Sequence, residues 1–182
     1  MALTQVQGQM IAPSTTLTTP IVATTMGVGG ATPSGSGSGI TFPATQSASS
    51  DANTLDDYEE GTYTPAIQGT STNPTVTYSI QKGQYTKVGN RVFISFDVAW
   101  SAFTGGSGSL TITVPFAITS AQLGGGFSFG YVSGLSSNTL TGYNDPGNTY
   151  FFLTNSTSTN NNLSVSTAGA SGRITGVGSY QV

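Results

Sequence analysis

The chain has 182 residues and a formal net charge of −3, with four Lys and Arg against seven Asp and Glu. Four basic residues cannot neutralise many phosphates, so the composition argues against nucleic-acid binding. The absence of His and Cys removes the commonest general base, the thiolate nucleophile and two common metal ligands, and we expect no cofactor.

Only 6% of the residues are charged, whereas Gly, Ser, Thr and Asn are abundant. A surface that is polar but uncharged has little electrostatic protection against association. The composition therefore favours a protein that is buried against other subunits. Without cysteine there are no disulfides, which fits assembly in a reducing compartment.

Residues 1–50 contain no charged residue and are predicted to form an extended arm. Its first segment is able to pair as a short strand, and Leu3, Val6 and Ile11 are the candidate docking residues. Threonine and Pro20 favour extended structure over helix in the segment that follows. Neither a secretory signal nor a membrane span is indicated, because Pro13, Pro20 and the threonines interrupt every apolar run.

The arm continues with a Gly/Ser linker from Gly27 to Gly39 and then an apolar segment in which Ile40 and Phe42 are further candidate docking residues. Two interpretations stay open. The arm is a flexible tail, or it is an extended segment that becomes ordered when it docks on neighbouring subunits.

The segment from Asp51 to Pro65 is the predicted border between the arm and a folded domain spanning residues 51–182. Its sequence is Asp-Ala-Asn-Thr-Leu-Asp-Asp-Tyr-Glu-Glu-Gly-Thr-Tyr-Thr-Pro, and it holds five of the seven acidic residues. After this border apolar residues recur with a period of two, which is typical of half-buried β-strands.

The clearest alternation gives a central strand with Val92, Ile94, Phe96, Val98 and Trp100 on one face. Two more alternating sets are predicted to be strands: Val76, Tyr78 and Ile80, and Leu110, Ile112, Val114 and Phe116. A hairpin is predicted from Gly83 to Lys87 around Tyr85, with a further turn at Gly89-Asn90. Later strands are predicted at Phe127 to Tyr131, Tyr150 to Leu153, Leu163 to Val165 and Ile174 to Val182.

Short strands separated by turn residues, with no helical period, predict an all-β fold: an antiparallel β-sandwich or jelly-roll-like head behind an extended N-terminal arm. Two long loops are predicted, from Leu135 to Asn148 and from Asn155 to Asn162. Loops of this kind carry recognition in β-domains.

Asp56, Asp57, Glu59 and Glu60 form a carboxylate cluster. Paired carboxylates are able to hydrolyse glycosides, but neighbours on a strand point to opposite faces, so no adjacent pair is expected to flank one sugar. The alternative is that these acids cap a turn, repel the same segment of other copies of the chain, or pair with Lys82, Lys87 or Arg91. We predict no catalytic residue.

A hard cation is a second hypothesis for the same segment, because Asp51, Asn53, Asp56 and Asp57 offer oxygen ligands of the calcium type. The spacing does not follow the helix-loop-helix calcium pattern, since Leu55 stands where an oxygen is needed.

Tyr143, Asp145, Tyr150 and Asn160 are candidate glycan-contact residues. Aromatic rings are able to stack on sugar rings, and Asp and Asn supply hydrogen bonds. The alternative is that alternate members of Tyr150 to Phe152 face the core and a subunit interface.

The border motif, the segment Gly39 to Gln46 before it, and the run Gly83-Gln-Tyr-Thr-Lys-Val-Gly-Asn-Arg-Val92 resemble a module of tailed-bacteriophage structural proteins, often near the ends of tail fibres or other appendages. A closing Gly178-Ser-Tyr180 continues the likeness. The resemblance covers residues 39–182 and implies a phage virion protein with an all-β head, expected to be a homotrimer.

Because few residues precede the module, a short fibre or knob is expected rather than a long tail fibre. Its expected partners are itself, other virion proteins of the capsid or tail, and host surface polysaccharide. The alternative function is a capsid decoration protein that stabilises the head shell, and a carbohydrate-active enzyme is a third.

Overall fold

A computed structural model describes residues 25–46, 48–121, 125–137, 139–155 and 161–182, with only the backbone described at Asn161. The predicted docking residues Leu3, Val6 and Ile11 and the predicted glycan contact Asn160 lie outside these residues. The chain divides into two compact units, the first ending at Thr45 and the second running from Gln46 to Val182.

The described residues form twelve β-strands and one short 3-10 helix, Val165–Thr167, without an α-helix. The strands are β1 Thr25–Gly27, β2 Gly39–Thr41, β3 Tyr58–Tyr63, β4 Ile67–Gly69, β5 Thr75–Val88, β6 Arg91–Thr104, β7 Leu110–Thr113, β8 Gly126–Leu135, β9 Leu140–Asn144, β10 Tyr150–Asn155, β11 Asn161–Asn162 and β12 Ala168–Gln181. The all-β prediction is confirmed. Within the described part of the chain, no helix is long and apolar enough to cross a bilayer.

In the second unit ten strands form one sheet in the order β3-β5-β6-β12-β8-β9-β10-β7-β4, with β11 added beside β10. Neighbouring strands of this sheet pair antiparallel. The sheet curls on itself. Three strands separate β6 from β10 in the sheet, yet Phe96 of β6 packs against Phe151 of β10 with ring centroids 5.8 Å apart. The two halves of a single sheet thus enclose the core.

The core consists of the inward residues of these strands. Fully buried members include Val92, Leu110, Ile112, Phe151 and Ile174, each with 0% exposed surface. Burial of each such side chain contributes about 1.5–3 kcal/mol. The alternation of period two places these residues on one face and leaves the other face of the sheet to solvent.

The longest hairpin joins β5 and β6 through the predicted turn at Gly89-Asn90, where Gly89 has φ 55°. The hairpin predicted from Gly83 to Lys87 is wrong, because β5 continues through this segment to Val88. Gly83 belongs to the strand because its missing side chain makes room for the ring of Tyr63, its partner in β3.

The same arrangement recurs two pairs further along, where Gly61 of β3 lies opposite Tyr85 of β5 and under its ring. Each strand therefore supplies a glycine on which the partner's tyrosine packs. Aromatic side chains that cover a cross-strand glycine restore packing that the glycine lacks. This reciprocal packing gives a physical reason for the Gly-x-Tyr spacing in both segments.

The predicted loop from Leu135 to Asn148 is wrong in part, because it contains strand β9. Gly142 of β9 lies under the side chain of Phe127, so that the β8–β9 pair closes tightly. The predicted strand at Leu163 and Val165 is also wrong in part. Both residues are buried, but the Ser164 side chain accepts a hydrogen bond from the Ser166 backbone at 3.3 Å and starts the 3-10 helix.

Most of the predicted loop from Asn155 to Asn162 lies outside the described residues. In the first unit, the short strands β1 and β2 pair in parallel, with Met26 opposite Ile40. Both side chains are exposed, at 45% and 53%, and Phe42 is half-buried. The Gly/Ser segment predicted to be a linker connects the two strands.

Candidate functional site

A buried ion pair holds the acidic border segment at the point where it leads into β3. The Asp57 carboxylate accepts a hydrogen bond from the Lys87 ammonium, and their residues are only 4% and 8% exposed. Lys87 Nζ also lies 5.8 Å from the centroid of the Phe116 ring and 3.4 Å from Gln46 Oε1. This ammonium therefore joins three segments of the domain around the start of β3.

The other aspartates of the segment shape the loop that precedes β3. Asp56 accepts hydrogen bonds from the Ser49 backbone at 2.8 Å and from Gln46 at 3.4 Å. The Ser49 bond, with the help of Gln46 and Lys87, holds the pKa of Asp56 below its usual value. Asp51 accepts from the Asn53 backbone at 2.9 Å, which is an Asx turn.

Glu59 and Glu60 are adjacent on β3 and lie opposite Lys87 and Thr86 of β5, respectively, on opposite faces of the sheet. Glu59 accepts a hydrogen bond from the Tyr85 hydroxyl, and Glu60 accepts one from the Tyr58 hydroxyl. Both tyrosines have raised pKa values because these bonds stabilise their neutral form, and that of Tyr85 rises to about 12. The two carboxylates thus have separate partners and do not face a common cleft.

Among the residues that the structure describes, no three His, Cys, Asp or Glu side chains converge in a group that could hold a metal ion. Of the predicted cation ligands, Asp57 is paired with Lys87 and Asp56 is bonded to Ser49. A cation at Asp51, Asn53, Asp56 and Asp57 stays a prediction. It would have to replace these hydrogen bonds.

The predicted glycan contacts include three that the structure describes, and they lie around the β9–β10 hairpin. Tyr143 is 48% exposed and stacks on Phe152 with centroids 6.0 Å apart, while Tyr150 meets the same ring edge-on at 5.7 Å. We call Tyr143, Tyr150 and Phe152 the aromatic patch. Phe151, between the last two, is fully buried in the core.

Asp145 lies in the turn of this hairpin, where it accepts a hydrogen bond from Asn148 Nδ2 at 2.8 Å. Partial burial raises the pKa of Tyr150, and the neighbouring Asp145 carboxylate adds to the effect. A carboxylate and two tyrosines therefore adjoin one exposed aromatic surface, which is an arrangement suited to sugar hydroxyls.

A groove on the solvent face of β3, β5 and β6 was not predicted. It has a volume of about 590 Å³ and is lined by polar side chains that include Thr62, Lys82, Gln84, Ser95 and Asp97. The alternation of the predicted strands places these side chains on the face opposite the core. That alternation was the available signal, but it does not show which strands are neighbours.

The comparisons with known proteins rest on fold. No protein-family model matches the chain, and no curated protein matches it. Among solved structures, the crystal structure of the Dettilon tailspike protein (gp208) is similar, with a TM-score of 0.55 and 20% sequence identity. The similarity covers 68% of this chain and 24% of the tailspike chain, so this chain spans about a quarter of that protein's length. The fold is thus shared with part of a tailspike protein.

Proposed function

We propose that this chain is a non-enzymatic structural protein of a tailed-phage virion. It is a short trimeric fibre or knob-like appendage, assembled in the bacterial cytoplasm, whose N-terminal arm docks on other virion proteins. The observation that carries this proposal is the fold shared with part of a tailspike protein over 68% of the chain. The sparsely charged surface, with 6% charged residues, adds support because it suits burial between subunits.

The first unit supports a docking role for the arm. A parallel sheet is normally covered on both faces, and two strands alone are only marginally stable in water. The β1–β2 pair leaves Met26 and Ile40 exposed side by side. Another virion protein that covers this pair would bury both side chains and supply the missing packing.

The β-domain is the outward part in this proposal, and its aromatic patch contacts host surface glycans. Tyr143 supplies an exposed ring, and Asp145 supplies hydrogen-bond acceptors beside it. The absence of enzymatic activity is part of the proposal. It is supported by the partners that occupy each carboxylate of the border segment.

Imaging of intact particles with a labelled chain tests the proposal. We expect a few copies at the tail. Hundreds of copies that follow the shell lattice would instead identify a capsid decoration protein.

A turnover assay on host surface polysaccharide tests the enzymatic alternative. We expect no cleavage. Cleavage that is lost in Asp56→Asn or Glu59→Gln, but kept in the matched variant Asp97→Asn outside the segment, would overturn the non-enzymatic assignment.

A further inference from the structure

The groove on the solvent face of the large sheet contains four hydrogen-bonding side chains without a partner among the described residues. Thr62 of β3, Gln84 of β5 and Ser95 of β6 lie side by side across three strands. None of them, nor Lys82, forms a side-chain hydrogen bond or ion pair with the described residues. A row of hydroxyl and amide groups is able to form hydrogen bonds with the hydroxyl groups of a sugar.

Lys82 keeps its positive charge available in this groove. Its cross-strand neighbour is Asp97, but both carboxylate oxygens of Asp97 accept hydrogen bonds from Arg173, at 2.9 Å and 2.7 Å. The ammonium of Lys82 therefore faces a groove whose nearest carboxylate is already neutralised. An anionic ligand group would find a donor there.

Most of the basic residues of the chain lie on this face of the sheet. Of the four basic residues, Lys87 is buried, whereas Lys82, Arg91 and Arg173 lie on the solvent face. The acidic residues on the same face are Glu60 and Asp97. The face thus has three cations against two carboxylates, whereas the whole chain has a net charge of −3. Lys82 is the cation that lies in the groove, whereas Glu60 lies in line with Thr86 and Phe93. An anionic ligand group is therefore favoured at the Lys82 end.

An aromatic ring adjoins the groove. Phe93 is 50% exposed and lines a second depression of about 260 Å³, which shares Gln84 and Ser95 with the first. The stretch of β6 from Phe93 to Asp97 is about 13 Å long at the usual rise per residue. One trough therefore has a ring at one end, neutral donors and acceptors in the middle and an ammonium toward the other end.

We propose that this trough binds an oligosaccharide that carries carboxylate groups. Lys82 binds a carboxylate, Gln84, Ser95 and Thr62 bind hydroxyl groups, and Phe93 packs against a sugar ring. The inference rests on the proposed outward role of the β-domain and adds a site that is separate from the aromatic patch. A second copy of the chain is the competing occupant, because Val177 beside the trough is 56% exposed. The hydrogen-bonding groups of Thr62, Gln84 and Ser95 and the ammonium of Lys82 favour the saccharide.

Calorimetry with the purified full-length chain tests this site without any phage particle, so its result does not depend on where the protein lies in the virion. The probes are tetragalacturonate, an oligoguluronate, and the neutral tetragalactose that corresponds to the first. We expect at least one acidic probe to bind more tightly than the neutral one. Lys82→Gln weakens that binding about 10-fold or more, as loss of a charge-assisted hydrogen bond does, and abolishes the preference for acid.

Tyr143→Ala is the matched control, since it changes the aromatic patch and leaves the trough intact. It is expected to bind the acidic probe as the wild type does. The proposal is overturned if neither acidic probe binds, if acidic and neutral probes bind equally, or if Lys82→Gln has no effect. It is also overturned if Phe93→Ser converts an oligomer into monomers by light scattering, because a second copy then covers the face.

Discussion

Asp57 and Lys87 form an ion pair that is buried at the entry to the β-domain. Both side chains have lost most of their hydration, and the cost is offset by their mutual attraction and by the contacts of the ammonium with Phe116 and Gln46. The sequence alone leaves three possible partners for the acids, Lys82, Lys87 and Arg91. The choice of this partner follows from the pairing of β3 with β5, which places Lys87 opposite Glu59 and beside Asp57.

The pair gives a stability prediction. Asp57→Ala leaves the Lys87 ammonium buried without its partner, and we expect it to lower the free energy of unfolding by about 3–5 kcal/mol. Asp97→Ala removes the exposed pair with Arg173 and is the matched control, for which we expect a loss of about 1 kcal/mol or less. Urea denaturation measures both. Equal losses would mean that burial adds nothing to the importance of the first pair.

The tyrosines give a pH prediction. Burial raises the pKa of Tyr63 and Tyr180, and the bond to Glu59 raises that of Tyr85 to about 12, against about 10 in an unfolded chain. A tyrosine whose pKa is higher in the folded state than in the unfolded state contributes to the free energy of unfolding, and this contribution is complete below about pH 10. This contribution is lost as the pH rises through the folded values.

We therefore expect the free energy of unfolding to fall as the pH rises from about 10 to 12. Tyrosinate absorbance is expected to develop later in the native protein than in urea. In Tyr85→Phe the late-titrating absorbance should decrease by one tyrosine. Native and denatured titrations that coincide would contradict the buried and bonded positions of these rings.

At the scale of the strands, β12 shows how glycine is used in this sheet. Gly172, Gly176 and Gly178 lie beneath the rings of Trp100, Phe96 and Phe127, respectively, and a Cβ at any of them would collide with the ring. These rings build much of the core. The glycines of β12 therefore serve packing and are not turn residues.

Gly178→Ala tests this role. We expect it to lower the free energy of unfolding by about 1–3 kcal/mol, because the added methyl group overpacks the core against Phe127. Gly130→Ala in β8 is the matched control, since its Cβ would meet only Thr175 Oγ1 at 3.5 Å. It is expected to be neutral or slightly stabilising. Thermal unfolding of both variants measures the difference. An unchanged stability of Gly178→Ala would show that the ring of Phe127 has room to move.

The strands were predicted from alternation where a long run has one buried face, as in β6. Prediction failed where a second contact decides the local structure. Gly83 and Gly142 are turn-forming residues by local preference, yet each lies inside a strand because an aromatic ring from a neighbouring strand packs on it. Val165 has a strand-forming side chain, but the Ser164 cap directs it into a 3-10 helix.

For the whole molecule, the two units carry different parts of the proposed function. We expect a chain of residues 46–182 to unfold at the same temperature as the full chain, because the strands of the large sheet all belong to the second unit. The same truncation is expected to prevent incorporation into particles. Calorimetry and particle composition measure the two results. Normal incorporation of the truncated chain would overturn the docking role of the arm.

The candidate sites were predictable to different degrees. Tyr143, Asp145 and Tyr150 are close in sequence, so a single hairpin brings them together. The trough requires three strands, and the chain between its Thr62 and Ser95 contains two further strands, β4 and β5, and three connections. Nothing in the local sequence indicates that these residues share a groove.

The all-β character of the domain and the buried face of its central strand follow from the sequence alone, because side chains on a strand alternate with a period of two. So does the uncharged arm before residue 51. The three-dimensional fold brings β12 as well as β5 beside β6 and places Asp57 against Lys87. It also gathers beside Lys82 polar groups that have no partner among the described residues. Strand neighbours are selected by the packing of the entire core, and local sequence patterns do not contain that information.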